Sequence, residues 1–209
     1  MSNYQLFQND LPLQSLKSFK GDITIDTETL GLNVKRDRLC LIQLRNESNK
    51  KVYLIQFDQN ISSANSKNIK SLMEDKSLTK IFHYARFDMA VLKENLNINV
   101  KNIFCTKIAS KLTRTYSSRH GLKDLVKEIL NIELDKTEQT SDWSQKKLTK
   151  QQIQYAMNDV LYLRDLKKNL ESKLIETKRL KTFKSIMNFL ETRVKLDLMG
   201  WENTDIFAH

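Results

Sequence analysis

The sequence predicts an α/β fold, a mixed β-sheet flanked by α-helices. Three observations point there. Short apolar runs crowd the first half of the chain, helix-spaced apolar residues fill the second, and turn-forming residues are scarce. One proline and four glycines in 209 residues argue against an all-β chain built on tight turns. Strands that come first, and then alternate with helices, give a sheet with helices packed over it.

The elements follow in order. Residues 23–27 (ITIDT), 39–45 (LCLIQLR) and 51–57 (KVYLIQF) are closely spaced and read as a small antiparallel meander. A helix is expected near 65–75, then a strand over 79–84 (TKIFHY). Residues 86–96 place Phe87, Ala90, Val91 and Leu92 at helical spacing. Beyond Ile103 helices dominate. Ile108, Leu112, Leu122, Leu125, Val126, Ile129 and Leu130 recur at helical spacing, as do Ile153, Ala156, Met157, Val160, Leu161 and Leu163. Residues 131–149 have no period and read as a structured loop, and a last helix is expected over 182–196.

A length of 209 residues suits one domain spanning 1–209, and 40% hydrophobic with 29% charged residues is ordinary for a globular chain. The net charge of +10 favours a polyanionic partner, nucleic acid first, although a lysine-rich compositional bias accounts for it equally well. Cys40 and Cys105 sit among apolar neighbours without CxxC spacing, so they read as buried thiols of a reducing compartment, not as a disulfide or zinc site. Neither a basic-then-apolar leader nor a run of membrane-spanning length is visible, so a cytoplasmic protein without membrane contact is expected.

The chemistry is carried by acids. In DITIDTETLGL (22–32), Asp26 and Glu28 stand two residues apart and share a strand face with Thr24, opposite Ile23 and Ile25. Two carboxylates held close raise each other's pKa unless a cation lies between them, and a hard divalent metal with oxygen ligands resolves this. Asp88 falls just past a strand, in the first turn of a helix. Asp159 follows Tyr155 by four residues, so both leave one helix face, beside apolar neighbours where an acid needs a partner. Taken singly, each has an ordinary reading: a solvated strand end, a charge at a helix start, an exposed helix acid.

Together, D-x-E on a first strand, an Asp closing HYARFD, and Y-x-x-x-D on a late helix resemble the DEDD exonuclease superfamily. The tyrosine marks the DEDDy branch; the sister branch carries a His where this chain has Gln154. HGLKDLVKEILNIELDK (120–136), SDW (141–143) and LTKQQIQYAMNDVLYL (148–163) look like ribonuclease D. IDTETLGL, RDRLCLIQL, FCTKIASKLTRTY, RHGLK and LDLMGWENTDIFAH resemble its compact nanoRNase C-like relatives, so no helical HRDC domain is expected after the exonuclease domain.

The resemblance implies a ribonuclease H-like fold and 3′–5′ hydrolysis of RNA to 5′ mononucleotides with two divalent ions, Mg²⁺ or Mn²⁺. By position it implies Asp26, Glu28, Asp88 and Asp159 as metal ligands. Tyr155 would orient the attacking water, since a phenol of pKa about 10 is a poor base at neutral pH. It also implies very short RNA as substrate, 5′-phosphorylated dinucleotides above all, and a closed homo-oligomer, an octamer. Substrate-contact candidates are Thr27, Leu32, His83, Arg114, Arg119 and His120. Leu32 is either a wedge between two bases or ordinary packing. Lys107, Lys111 and Arg114 share one helix face, which either binds phosphate or is simply solvated. His83 either reaches substrate or braces the strand end. Trp201, Ile206 and Phe207 either pack on a neighbouring copy or strap the terminus to its own domain. Two other functions stay open: ribonuclease D-type processing of structured RNA such as tRNA, and a non-catalytic nucleic-acid-binding module. The intact acids argue against the second, because unpaired acids repel an anionic ligand.

Overall fold

The computed structural model describes residues 4–60, 63–134 and 141–209. Among them are six strands: β1 (Tyr4–Gln8), β2 (Asp22–Thr29), β3 (Leu39–Asn46), β4 (Val52–Gln56), β5 (Thr79–Phe82) and β6 (Ile103–Cys105). They form one sheet in the order β1-β4-β3-β2-β5-β6. The expected meander is present, with β2–β3 and β3–β4 antiparallel. The sheet is mixed because β5 runs parallel to β2, β6 to β5, and β1 to β4.

The helices are α1 (Leu13–Leu16), α2 (Lys67–Glu74), α3 (Ala85–Leu96), α4 (Thr106–Thr113), α5 (Leu122–Leu130), α6 (Lys150–Leu161), α7 (Leu163–Glu176) and α8 (Leu180–Leu196). Sequence and structure differ at several points. The edge strands β1 and β6 were not expected. The expected strand 79–84 stops at Phe82, because Tyr84 adopts a left-handed backbone (φ 77°) where α3 begins. The apolar series from Ile153 to Leu163 is two helices, broken at Tyr162. Of the loop over 131–149, residues 135–140 lie outside the described residues; in the rest, Trp143 is only 2% exposed.

Alternation along the central strands divides the core. Ile23, Ile25, Ile42, Leu44, Tyr53 and Ile55 join the main apolar cluster with α3. Cys40, Leu41, Val52 and Leu54 join a smaller one with Trp143, Leu148, Ala156 and Val160, under α6. The acids of β2 therefore stand on the α6 side. Both cysteines are buried free thiols, as expected. No helix among the described residues is long and apolar enough to cross a membrane. At the far end, Arg86 of α3 donates to both carboxylate oxygens of Asp197, at 2.6 and 2.8 Å, and so ties the turn after α8 to the start of α3.

Candidate active site

β2 sits inside the sheet and brings its polar face up to α6. A bulge falls between Glu28 and Thr29, where the pairing with β3 slips by one residue. Bulges recur beside functional sites because they re-aim a side chain and end the pairing. Asp26 and Glu28 leave β2 just before this point, and Asp159 meets them from α6. One carboxylate oxygen from each of the three lies within 4.8 Å of the others. Asp88, from the first turn of α3, stands behind them: it is 3% exposed and accepts a hydrogen bond from the Thr27 hydroxyl at 2.8 Å. Thr27 points to the opposite side of β2 from Asp26 and Glu28, so its side chain orients Asp88.

The electrostatics are those of crowded, buried carboxylates. Burial, then the charges of Asp88, Asp159 and Glu28, hold the Asp26 carboxyl well above the usual carboxylate range. Burial, Asp159 and Asp88 do the same to Glu28, partly opposed by an amide hydrogen bond from Gln43 at 3.3 Å. Burial lifts Asp88 from 3.8 to about 7. An all-oxygen donor set whose members repel one another fits a hard divalent cation, which would offset that repulsion.

Tyr155 lies one helical turn before Asp159. Burial and then Asp159, Glu28 and Asp26 push its phenol far above the ordinary tyrosine range, so it stays protonated. Its ring packs against Trp143, with centroids 6.0 Å apart. The start of α6 is fixed by a capping box between Thr149 and Gln152. The Gln152 amide also donates to Ser141 Oγ (2.8 Å) and to the Asp142 carbonyl (2.9 Å), which anchors the loop that presents Trp143.

Asp26, Glu28, Tyr155 and Asp159 open onto a cleft of about 670 Å³ that Leu32, His83, Tyr84, Lys107 and Lys123 also line, whereas Asp88 does not reach it. Leu32 is 85% exposed on its rim. His83 bonds Thr106 Oγ1 through Nδ1 at 2.9 Å. Arg114 is not brought to the cleft. Its guanidinium is fully buried, paired with Glu128 of α5, and bonded to Ser110 Oγ and the Arg119 carbonyl. Arg119 and His120 also fall outside the cleft walls, and His120 Nδ1 is engaged with Ser110 Oγ at 2.8 Å. Sequence reasoning missed Tyr84. Tyr84 combines a backbone conformation rare for a bulky residue with a ring 4.1 Å from Lys107 Nζ. Its position inside HYARFD was the available signal.

Gly31 has a cause the sequence did not suggest. A Cβ there would lie 2.4 Å from Asp37 Oδ2. That carboxylate accepts the Asn33 backbone N–H at 2.9 Å and pairs with Arg36, which holds the loop carrying Leu32. Gly31→Ala is expected to lower Tm by several degrees, because the methyl displaces Asp37. A thermal melt checks this.

The 3′–5′ exonuclease family model matches residues 7–175. The chain belongs to this family. The exonuclease is 32% identical over 163 residues to ribonuclease D of Desulfotalea psychrophila; the match covers 78% of this chain but 42% of that relative, so the chain spans less than half its length. Its structure superposes on Brucella melitensis NrnC with a TM-score of 0.92 at 45% identity, covering 99% of this chain and 98% of that one. NrnC has also been seen bound to pGG and with bound Mg²⁺. The catalytic core of RRP6 from Trypanosoma brucei shares the fold, with a TM-score of 0.76 at 21% identity over 90% of this chain and 52% of that one. The chain thus falls in the nanoRNase C and ribonuclease D group of DEDD 3′–5′ exonucleases, with a ribonuclease H-like mixed sheet.

Proposed function

We propose that this exonuclease hydrolyses very short RNA, 5′-phosphorylated dinucleotides above all, to 5′ mononucleotides, with two divalent ions, Mg²⁺ or Mn²⁺. The observation that carries this reading is the acid cage within a chain that matches NrnC, which binds pGG, from end to end. Asp26, Glu28 and Asp159 would hold the ions, with Asp88 completing the set from behind. When bound, the ions neutralise charge on the scissile phosphate and lower the pKa of the attacking water. Tyr155, protonated and braced by Trp143, orients that water and does not deprotonate it.

A dinucleotide offers little surface, so both ends must be held. Leu32 and Tyr84 supply apolar area for the bases at the rim, and Lys107 and Lys123 supply charge for phosphate. Arg114 is assigned instead to holding the turn after α4 against α5. The protein is read as cytoplasmic and as a closed homo-oligomer, an octamer. Exposed Met199, Trp201, Ile206 and Phe207 near the end support self-association, and solution mass tests it.

The deciding experiment is a series of 5′-labelled RNAs from two to about ten nucleotides with each metal. The expected result is that the phosphorylated dinucleotide is turned over much faster than longer chains. Equal rates on a dinucleotide and a structured tRNA 3′ tail point to ribonuclease D-type processing instead. Binding without release of mononucleotides points to a non-catalytic module.

A further inference from the structure

Where α6 gives way to α7, the helix is interrupted at Tyr162, and the last carbonyls of a helix lack intrahelical N–H partners. Two of them are taken by side chains of the sheet. The Thr24 hydroxyl donates to the Val160 carbonyl at 2.7 Å, and Arg45 Nη1 donates to the Leu161 carbonyl at 2.9 Å. Thr24 and Arg45 are direct cross-strand partners on β2 and β3. Arg45 is itself held at 2.5 Å by Glu47, whose other oxygen lies 3.7 Å from Arg164 Nη1 in the first turn of α7. Thr24, Arg45 and Glu47 are all buried.

The placement matters more than the bonds. Thr24, Asp26 and Glu28 share one face of β2, about 6.6 Å per two-residue step at a strand rise of about 3.3 Å per residue. Val160 directly follows Asp159. The strand face that presents two acids to Asp159 thus also carries, one step earlier, the hydroxyl that grips the next residue of α6. Three acids within 4.8 Å push α6 away from β2, so their spacing needs a mechanical hold.

We infer that Thr24 and Arg45 are positioning residues: they grip the end of α6, set the separation of Asp159 from Asp26 and Glu28, and thereby set the affinity of the acid cage for divalent ions. This rests on reading the cage as the metal centre. The test is calorimetric titration of Mg²⁺ into the substrate-free protein. Thr24→Val removes the donor at nearly constant shape and is expected to weaken Mg²⁺ binding about 10-fold, as loss of a group that orients metal ligands does, while Thr24→Ser restores it. The Mg²⁺ concentration for half-maximal turnover shifts by the same factor, with KM for RNA at saturating Mg²⁺ unchanged. Arg45→Met is expected to act in the same direction and decides the matter if Thr24→Val does not fold. Wild-type Mg²⁺ affinity in the folded variants overturns the inference. Asp26→Asn separates the two levels. If it keeps wild-type Mg²⁺ binding, the metal-centre reading fails and the inference with it. If it loses binding while Thr24→Val keeps it, the inference alone fails.

Discussion

Asp26→Ala is expected to lose at least about 10³-fold in turnover, about 4 kcal/mol at 1.4 kcal/mol per decade, with its far-UV circular dichroism unchanged. The size follows from position. Asp26 stands on a central strand and feels Asp88, Asp159 and Glu28 together, so it occupies the electrostatic centre of the cage. Gln43, its cross-strand partner, does not replace its oxygen, because it turns its amide toward Glu28. Fold survival follows from the same repulsion. A buried carboxylate crowded by others opposes folding when no metal is present, so removing it relieves strain in the apo protein. The apo Tm should therefore hold or rise, and the Tm increase that Mg²⁺ gives the wild type should shrink or vanish. Near-normal Mn²⁺-dependent hydrolysis by Asp26→Ala would show that the acids do not form the catalytic centre.

Much of the site was legible because its spacing is local. Period-two alternation placed Asp26 and Glu28 on one face with Thr24, and one helical turn placed Tyr155 with Asp159. What stayed hidden depends on contacts distant in sequence. Nothing near Arg114 indicates that Glu128, on the next helix, takes its guanidinium. Arg114 therefore read as a substrate-contact candidate on a face either phosphate-binding or solvated, whereas the structure buries its guanidinium on Glu128. The role of Gly31 depends on Asp37, across a loop, and the brace on Tyr155 depends on Trp143. The edge strands were hidden for a different reason. β1 alternates weakly, with Leu6 left 40% exposed, and β6 is three residues long. Their strand character comes from pairing with β4 and β5, not from their own apolar pattern.

The metal-free protein is expected to lose stability as pH rises from about 4 through 7, and Mg²⁺ is expected to remove most of that loss. Asp88 is lifted from 3.8 to about 7, and Asp26 and Glu28 are raised as well. An acid with a raised folded pKa binds more protons in the native than in the unfolded state across that interval. Its contribution is thus complete below the unfolded pKa and is lost as pH climbs through the folded one. For Asp88 alone, the interval corresponds to on the order of 4 kcal/mol at about 1.4 kcal/mol per pH unit. A divalent ion binds the deprotonated cage, so its affinity rises over the same window and its binding releases protons. Thermal melts from pH 5 to 8 with and without Mg²⁺ should diverge with increasing pH. Calorimetric Mg²⁺ titrations near pH 6.5, run in two buffers of different ionisation enthalpy, should report proton release. If the Mg²⁺-induced Tm shift is constant across this range, the acids are already ionised in the apo protein. The repulsion that makes the cage a metal site would then be screened by some other cation.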